Sequence, residues 1–143
     1  MLVKQISVFV ENKFGRLAEI ISVLAKHSID ISALSIADTT DFGILRLIVS
    51  DPTLAEHVLR EHGMTVKSTD VIAVAVEDKP GGLSKVLNEL KDNHIGIEYM
   101  YAFIGKSENG ALVIIRVDKP DEAIRILEDT NITVVDAKDV YRL

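Results

Sequence analysis

Apolar positions along the chain recur in the same order twice. Near the start of each half, apolar residues occupy every second position, which predicts a strand. A stretch with apolar residues at i, i+3, i+4 and i+7 follows, which predicts an amphipathic helix. These strand and helix positions are Ile6, Val8, Val10, Leu17, Ile20, Ile21 and Leu24 in the first half, and Ile72, Val74, Val76, Leu83, Val86, Leu87 and Leu90 in the second.

The remainder of each half predicts two more strands, a second helix and a short last strand. The second strand begins at Ile29 or Ile95, the third spans residues 44–49 or 112–117, and the last includes residues 64–66 or 132–134. In the first half, Asp51 suits the N-cap of the second helix and Pro52 its first position. Gly63 follows this helix and Asn131 follows its counterpart, and both residue types tolerate the left-handed conformation at a helix end. Each half is therefore predicted to be βαββαβ.

Direct comparison of the halves supports an internal duplication. With an offset of 66, seven of the 21 residue pairs between 11–31 and 77–97 are identical. With an offset of 68, Pro52, Ala55, Leu59 and Val66 match Pro120, Ala123, Leu127 and Val134. The two extra residues fall near residues 106–110, where the sequence KSENG predicts a turn. We therefore predict an α+β fold of two ferredoxin-like repeats, residues 1–69 and 70–143, each a four-stranded antiparallel sheet with two helices on one face.

Two of the predicted strands are apolar on both faces. Residues 71–76 and 95–104 have this pattern, whereas a strand with helices on one side and water on the other should alternate. We expect part of the face opposite the helices to be covered by the other repeat or by another chain. The alternative is a slightly apolar exposed face, because single apolar residues are common on protein surfaces.

Composition excludes several classes of protein. The chain has 143 residues, of which 48% are apolar and 27% charged, as in ordinary globular proteins. A net charge of −6 argues against nucleic-acid binding, which requires a surface rich in Lys and Arg. No apolar run approaches the roughly 20 residues of a membrane helix, and the N-terminal sequence does not resemble a signal peptide. These features, with the absence of cysteine, predict a cytoplasmic protein that does not act on membranes.

Residue patterns that support catalysis or metal binding are missing. The four histidines include no H-x₃-H pair, so we predict no transition-metal site. No serine lies in a nucleophile-elbow sequence, and the phosphate-binding sequence G-x-x-x-x-G-K-[ST] is absent. We therefore predict no catalytic residue, no metal and no cofactor. The ferredoxin-like fold also occurs in enzymes, so the fold alone does not exclude catalysis.

The junction between the first strand and the first helix has the most specific pattern. It is VENKFGRL at residues 10–17 and VEDKPGGL at residues 76–83. A strand, E-[ND]-K-x-G-x-L, an amphipathic helix and a strand opening with I-x-I resemble the ACT domain in both repeats. Residues 8–17, 29–35 and 42–46 especially resemble the ACT domain of acetolactate synthase regulatory subunits. The resemblance implies a free-standing pair of ACT domains that binds an amino acid at an interface between such domains and reports its level to an enzyme.

The chemistry of this turn agrees with that role. A glycine lets the backbone turn tightly and approach a ligand closely. The first N–H groups of a helix lack internal partners and lie at the positive end of its dipole, which suits a carboxylate. An Asn or Asp before the turn can accept a hydrogen bond from an α-ammonium group. The resemblance implies these ligand-binding residues: Asn12, Lys13, Phe14, Gly15, Arg16, Leu17, Asp30, Ile31, Asp78, Lys79, Pro80, Gly81, Gly82, Leu83, Gly96 and Ile97.

Differences from serine-sensing ACT domains favour another ligand. Those domains bind serine with an Asn in the turn, a His two positions before it and an Asn inside the I-x-I segment. The first repeat keeps the turn Asn as Asn12 but has Val10 and Asp30 at the other two places. An apolar rim that includes Phe14 and Leu17 favours a branched-chain or aromatic amino acid.

The two turns are not equivalent. Phe14 stands where the second turn has Pro80, and Arg16 stands where it has Gly82. Pro80 has no N–H, whereas Phe14 keeps one and adds apolar bulk. One hypothesis is that residues 12–17 with Asp30 make the better site. The alternative is that Phe14 only packs against the other repeat.

These features predict a non-enzymatic regulatory protein that forms a homodimer and signals the level of a free amino acid to a metabolic enzyme. The alternative is a regulatory subunit bound stably to a biosynthetic enzyme such as acetolactate synthase, which would then cover the apolar face. An enzyme of ferredoxin-like fold is a third possibility, although no loop with converging donors and an arginine supports it.

Overall fold

The computed structural model describes residues 1–38, 41–104 and 110–143, which form six strands and five helices in two compact units. The first unit comprises Lys4–Thr69 and Tyr141–Leu143, and the second comprises Met1–Val3 and Asp70–Val140. Short pieces at the two termini thus belong to the unit formed by the other half of the sequence. The repeat boundaries of 1–69 and 70–143 concern the duplication of the sequence and stay a prediction.

The first unit is built from the elements β1 to β4, α1 and α2. Their bounds are β1 Val3–Glu11, α1 Arg16–Lys26, β2 Ile31–Asp38, β3 Phe42–Val49, α2 Pro52–Glu61 and β4 Thr65–Val76, of which the first residues of β4 belong here. The strand order is β2-β3-β1-β4, and β1 and β2 both pair antiparallel with β3. This order is that of a ferredoxin-like βαββαβ unit.

Both helices of the first unit cover the same face of its sheet. Alternate residues of β1 and β3 point to this face, where they meet the apolar stripes of α1 and α2. The buried cluster includes Ile6, Val8, Ile20, Leu24, Leu45, Leu47, Ala55 and Leu59, all without solvent exposure. Ile20 and Leu24 of the predicted stripe in α1 are therefore buried, whereas Leu17 at its start is 39% exposed.

The second unit repeats this plan with a shorter last strand. It contains the rest of β4, α3 Gly82–Asp92, β5 Ile97–Ala102, β6 Ala111–Val117, α4 Pro120–Asp129 and α5 Ala137–Val140. β6 pairs antiparallel with β4 and β5. The predicted last strand is reduced to a bridge between Val74 and Val134, flanked by a hydrogen bond of 2.9 Å from the Ala75 N–H to the Thr133 carbonyl. Its separate core includes Ile72, Val74, Val86, Leu90, Ile115, Ala123 and Leu127.

The structure confirms the predicted fold class and the ends of the second helix. The Asp51 carboxylate accepts a hydrogen bond of 3.1 Å from the Leu54 N–H, and Pro52 is the first residue of α2. Gly63 and Asn131 both adopt positive φ, 77° and 59°. This conformation is the one that ends a helix and releases the chain toward the next strand.

Several predicted boundaries are wrong. β2 and β5 begin two residues after Ile29 and Ile95, which instead fill the cores just after the preceding helices. Residues 64–66 and 71–76 were predicted as separate strands, but a single twelve-residue strand, β4, joins most of them. The four-residue helix α5 was not predicted because it is too short to show a helical stripe. The predicted KSENG turn lies outside the described residues except for Gly110.

Part of the face opposite the helices is also buried. Four residues that are fully buried are Ala33, Ile48, Ala73 and Ile114. The residues next to them in each strand point to the helices, so these four point to the opposite face. Residues 71–76 of β4 are therefore buried on both faces, as predicted, whereas the second doubly apolar stretch is not, because β5 Ile97–Ala102 contains no buried residue.

Candidate functional site

The two strand–helix junctions both contain a left-handed glycine just before the helix. We call residues 10–17 the first turn and residues 76–83 the second turn. Gly15 and Gly81 immediately precede α1 and α3, with φ of 81° and 88°. A Cβ built on either glycine would meet no atom within 4 Å. Each turn therefore presents its backbone to open space at the start of a helix.

The first amide groups of each helix are open to a ligand. The Arg16 N–H donates to the Lys13 carbonyl at 3.2 Å, and the Gly82 N–H donates to the Lys79 carbonyl at 3.0 Å. The next two amides lack a hydrogen-bond partner within the described part of the chain, and no side chain caps either helix. These amides are those of Leu17, Ala18, Leu83 and Ser84. Free N–H groups at a helix start favour an anionic group such as a carboxylate.

Each turn contains an ion pair between its Glu and its Lys, at equivalent positions in the two repeats. The Lys13 Nζ lies 2.7 Å from Glu11 Oε2, and the Lys79 Nζ lies 2.6 Å from Glu77 Oε2. The hydrogen bond from each ammonium, together with its charge, lowers the pKa of the Glu11 and Glu77 carboxyls. The same contact raises the pKa of Lys79. Both lysines were predicted to bind ligand, but in this structure each is paired inside its own turn.

A cleft lies beside each turn, at equivalent places in the two repeats. The first cleft, of about 340 Å³, is lined by Phe9, Glu11, Arg16, Phe42, Gly63, Met64 and Thr65. The second cleft, of about 640 Å³, is lined by Ala75, Val76, Glu77, Lys79, Pro80, Gly81, Gly82, Lys85, Val86, Asn131, Ile132 and Thr133. The offsets of the repeat match Glu11 with Glu77, Arg16 with Gly82 and Thr65 with Thr133. The two clefts therefore occupy equivalent positions, one in each repeat.

A smaller pocket lies on another side of the first turn. This pocket, of about 220 Å³, is lined by Val10, Glu11, Asn12, Lys13, Leu17, Ile36 and Gly43. The Asn12 N–H donates to the Asp41 carbonyl at 3.3 Å, so the backbone of Asn12 is held in place. Asn12 and Leu17, both predicted ligand contacts, therefore lie together at this pocket.

The I-x-I segments lie far from the turns of their own units. In the first unit Glu11 pairs with Phe42, whereas Ile31 pairs with Val49 at the other end of β3. Seven residues of strand separate these places, about 24 Å at roughly 3.4 Å per residue. A single unit therefore does not bring Asp30 or Ile31 to its turn, and Gly96 and Ile97 are placed in the same way.

The backbone N–H groups of Asp30 and Gly96 donate to different side chains in the two units. The Asp30 N–H donates to Ser50 Oγ at 3.0 Å, and the Ser50 N–H donates back to the Asp30 carbonyl at 3.0 Å. In the second unit the Gly96 N–H donates to Asp118 Oδ1 at 3.0 Å. A Cβ on Gly96 would lie 2.9 Å from Asp118 Oδ2. A side chain at residue 96 would therefore require the Asp118 carboxylate to move.

Apolar side chains at and near the turns are exposed. Phe14 is fully exposed, at 109%, and packs against no described residue. Leu17, Leu83 and Ile97 are between 38% and 39% exposed. These residues could contact an apolar ligand side chain or another protein surface.

Sequence reasoning missed the residues on the far side of each cleft. Residues 63–65 and 131–133 follow α2 and α4, and antiparallel packing brings them beside the turn. Gly63 and Asn131 were recognised only as helix ends. The signal that could have found them is that a βαββαβ unit places the ends of its first strand and second helix at the same edge.

The described ranges lack two kinds of feature. Within them, no helix is long and apolar enough to cross a membrane. No group of three or more His, Asp or Glu side chains in the same ranges is placed to hold a metal ion.

A comparison with family models identifies the family of this chain. A family model described as an ACT domain pair matches residues 1–143. The crystal structure of a Bacteroides thetaiotaomicron protein is 44% identical, with a TM-score of 0.94, over 100% of this chain and 98% of that chain. The regulatory subunit of aspartate kinase from Thermus thermophilus, in its ligand-free form, is 19% identical, with a TM-score of 0.60, over 91% and 94%. The similarity to the aspartate kinase regulatory subunit shows the fold alone. A search of curated proteins finds no match to this chain.

Proposed function

Because the chain belongs to the ACT domain pair family, we propose that it is a non-enzymatic regulatory protein that binds a free amino acid. ACT domains are regulatory domains that generally bind amino acids and regulate partner enzymes. In this proposal the bound amino acid changes the packing of repeats or chains, and a metabolic enzyme in the cytoplasm responds to that change.

The observation that carries the proposal is the open backbone of the two turns. Gly15 and Gly81 adopt a left-handed conformation with free space where a side chain would be. Two amides without partners follow each of them, within the described residues. A carboxylate at these amides would receive charge-assisted hydrogen bonds, which are about twice as strong as neutral ones.

The ligand contacts that we propose come from more than one repeat. The turns contribute Asn12, Lys13, Phe14, Gly15, Arg16 and Leu17, with Asp78, Lys79, Pro80, Gly81, Gly82 and Leu83. Asp30, Ile31, Gly96 and Ile97 would reach a turn only from another repeat or another copy of the chain, since they lie at the far end of their own units. This separation supports a site shared between repeats, and a homodimer is one assembly that would supply it.

Exposed apolar residues support a branched-chain or aromatic ligand. Phe14 is fully exposed, and Leu17 and Leu83 are partly exposed beside the free amides. Covering such side chains with the apolar part of a ligand would contribute about 25 cal/mol for each Å² of apolar surface removed from water.

A second candidate function is that of a subunit bound stably to a biosynthetic enzyme, such as acetolactate synthase. Phe9 and Phe42 are 49% and 53% exposed, and both lie on the face of the first sheet opposite its helices. An enzyme surface could cover them. In that case the chain alone would be less stable than the complex.

The experiment that tests the proposal is a thermal-shift screen of the chain against each of the twenty amino acids. A ligand at a hundredfold excess over its Kd stabilises the folded chain by about 2.7 kcal/mol. We expect a rise in Tm with one amino acid or one side-chain class, and we expect Asn12→Ala or Asp78→Ala to reduce it. A screen in which no amino acid raises the Tm would refute the sensor and leave the stable-subunit function.

A further inference from the structure

The two clefts have diverged although they occupy the same place in the two repeats. We propose that the second cleft is the one that takes the zwitterionic amino acid, and that the Arg16 side chain closes the first. This inference rests on the proposed function and names which copy of the turn binds. It also reverses the sequence hypothesis that residues 12–17 make the better site.

The first step is the difference in space. The first cleft measures about 340 Å³ and the second about 640 Å³. Small-molecule pockets are usually about 300–1,000 Å³, so the first is near the lower limit and the second is well inside the range. Arg16 lines the first cleft, and its equivalent in the second is Gly82, which has no side chain.

The second step is that the structure explains both the position of the Arg16 side chain and the absence of a side chain at Gly82. Arg16 Nη1 lies 3.0 Å from Glu19 Oε2, one turn along α1, and the arginine side chain is 33% exposed. A Cβ built on Gly82 would overlap the main-chain carbonyl oxygen of Glu77. The backbone of the second turn therefore keeps side chains out of this part of the cleft, whereas the first turn holds an arginine there.

The third step is the balance of charge. In the first turn Glu11 pairs with Lys13 and Arg16 pairs with Glu19, so every charge is compensated. In the second repeat Lys85, which lies in α3, replaces Glu19 and lines the cleft. Lys85 forms no ion pair with any described residue. The charge of Lys85 helps to lower the pKa of the Glu77 carboxyl, but that carboxylate is paired with Lys79. The Lys85 ammonium therefore has no ion pair of its own among the described residues and can pair with a ligand carboxylate.

The fourth step concerns the other end of the ligand. Asp78 replaces Asn12 and follows Glu77 in the second turn, although Asp78 itself does not line the second cleft. Its carboxylate forms no ion pair with a described residue. The second repeat thus offers the Lys85 ammonium in the cleft for a ligand carboxylate and the Asp78 carboxylate in the neighbouring turn for a ligand ammonium, and neither forms an ion pair with a described residue. The first turn offers neither.

The experiment uses the full chain with one reporter in each cleft. The chain contains no cysteine, so Thr133→Cys and Thr65→Cys can each carry a single environment-sensitive fluorophore. These positions are equivalent in the two repeats, and both side chains are exposed. Each labelled chain is titrated with the twenty free L-amino acids and with sodium acetate, against sodium chloride at equal ionic strength.

We expect a saturable response at position 133 with at least one amino acid, at a concentration at least about tenfold lower than at position 65. Lys85→Gln should weaken the response at position 133 by roughly tenfold, because it removes a charge-assisted bond. Arg16→Gly with Glu19→Lys copies the second turn into the first and should strengthen the response at position 65 about tenfold. The second repeat already has Gly and Lys at these places, so we expect the variant to fold.

Two results would overturn the inference: an equal or stronger response at position 65, or no effect of the double variant on that response. If no amino acid changes either reporter or the Tm, the proposed function fails, and acetate then decides the inference. An acetate response at position 133 that is lost in Lys85→Gln supports the second cleft as the anion-binding one. The absence of that response rejects it.

Discussion

Gly82 and Arg16 occupy the same position in the two repeats, at the first residue of a helix. The backbone at Gly82 is not left-handed, so the need for glycine does not come from φ. It comes from the Glu77 carbonyl, which lies where a Cβ would be. The sequence shows the glycine, but only the folded turn shows why it cannot be replaced.

Gly82→Ala tests this explanation directly. In a helix without steric conflict, Gly→Ala would stabilise by up to about 1 kcal/mol. Here we expect the free energy of unfolding to fall by about 1–3 kcal/mol, because the methyl group forces the turn to shift. Urea unfolding followed by circular dichroism gives the sign. Arg16→Ala is the matched control and should change stability by less than about 0.5 kcal/mol; an alanine at 82 that stabilises the chain would contradict the clash.

The turn ion pairs predict a dependence of stability on pH. The Lys79 ammonium lowers the pKa of Glu77 below its ordinary 4.5 in the folded chain. The stabilising contribution is therefore present above the unfolded pKa and is lost as the pH falls through the folded pKa. Because the pKa of Lys79 is raised above 10.5, its contribution is present below that value and is lost as the pH rises through the folded pKa.

Glu77→Gln should therefore lower the Tm slightly at neutral pH, and the difference from the unmodified chain should shrink below pH 4.5. Both carboxyl and ammonium groups are exposed, so we expect a small effect that salt reduces. Scanning calorimetry from acidic to neutral pH measures it. A difference in Tm that stays constant from neutral to acidic pH would contradict this contribution of the ion pair.

At the scale of elements, the second helix of each repeat begins in the same way but is capped differently. Asp51 caps α2 through the Leu54 N–H, whereas Lys119 precedes α4 and its side chain caps nothing. Pro52 and Pro120 each occupy the first turn of the helix that follows. The duplicated helix has therefore kept its proline and lost its cap.

Asp51→Ala should reduce the free energy of unfolding by about 1 kcal/mol, since it leaves the Leu54 N–H without its acceptor. Lys119→Ala at the equivalent position removes no cap and should have little effect. Lys119→Asp should stabilise by a similar amount by restoring the missing cap. Chemical denaturation of the three variants measures these differences, and equal losses for the two alanine variants would show that capping is not the cause.

At the scale of the whole molecule, each unit has its own buried core and its own turn. The I-x-I segment of each unit lies at the opposite end from that turn. A ligand that contacts both kinds of segment therefore has to lie between repeats or between copies. The proposed function therefore predicts that binding depends on assembly.

We expect the chain to form a homodimer with twice the 15.7 kDa mass of one chain, and the amino acid to strengthen that dimer. A ligand that binds only the assembled form stabilises it by mass action. Light scattering coupled to size exclusion, with and without the amino acid from the screen, measures the mass at decreasing protein concentration. A chain that stays monomeric while binding its ligand with undiminished affinity would contradict the homodimer.

The sequence by itself determined the fold class, the duplication and the family. These follow from local patterns: apolar periodicity of two and of 3.6, helix-end residues such as Asp51 and Gly63, and a turn motif that occurs twice. Such signals depend on neighbours along the chain. They placed α1 and α2 to within a residue or two, and they placed both turns.

Only the tertiary structure decided which residues meet each other. The cleft beside each turn needs residues 63–65 or 131–133, which lie about 50 positions away in sequence and come close only when the second helix packs beside the first strand. The Asp118 carboxylate explains Gly96, and the Glu77 carbonyl explains Gly82, through contacts that no sequence period encodes. Local patterns fix elements, whereas space and charge between distant elements distinguish the first cleft from the second.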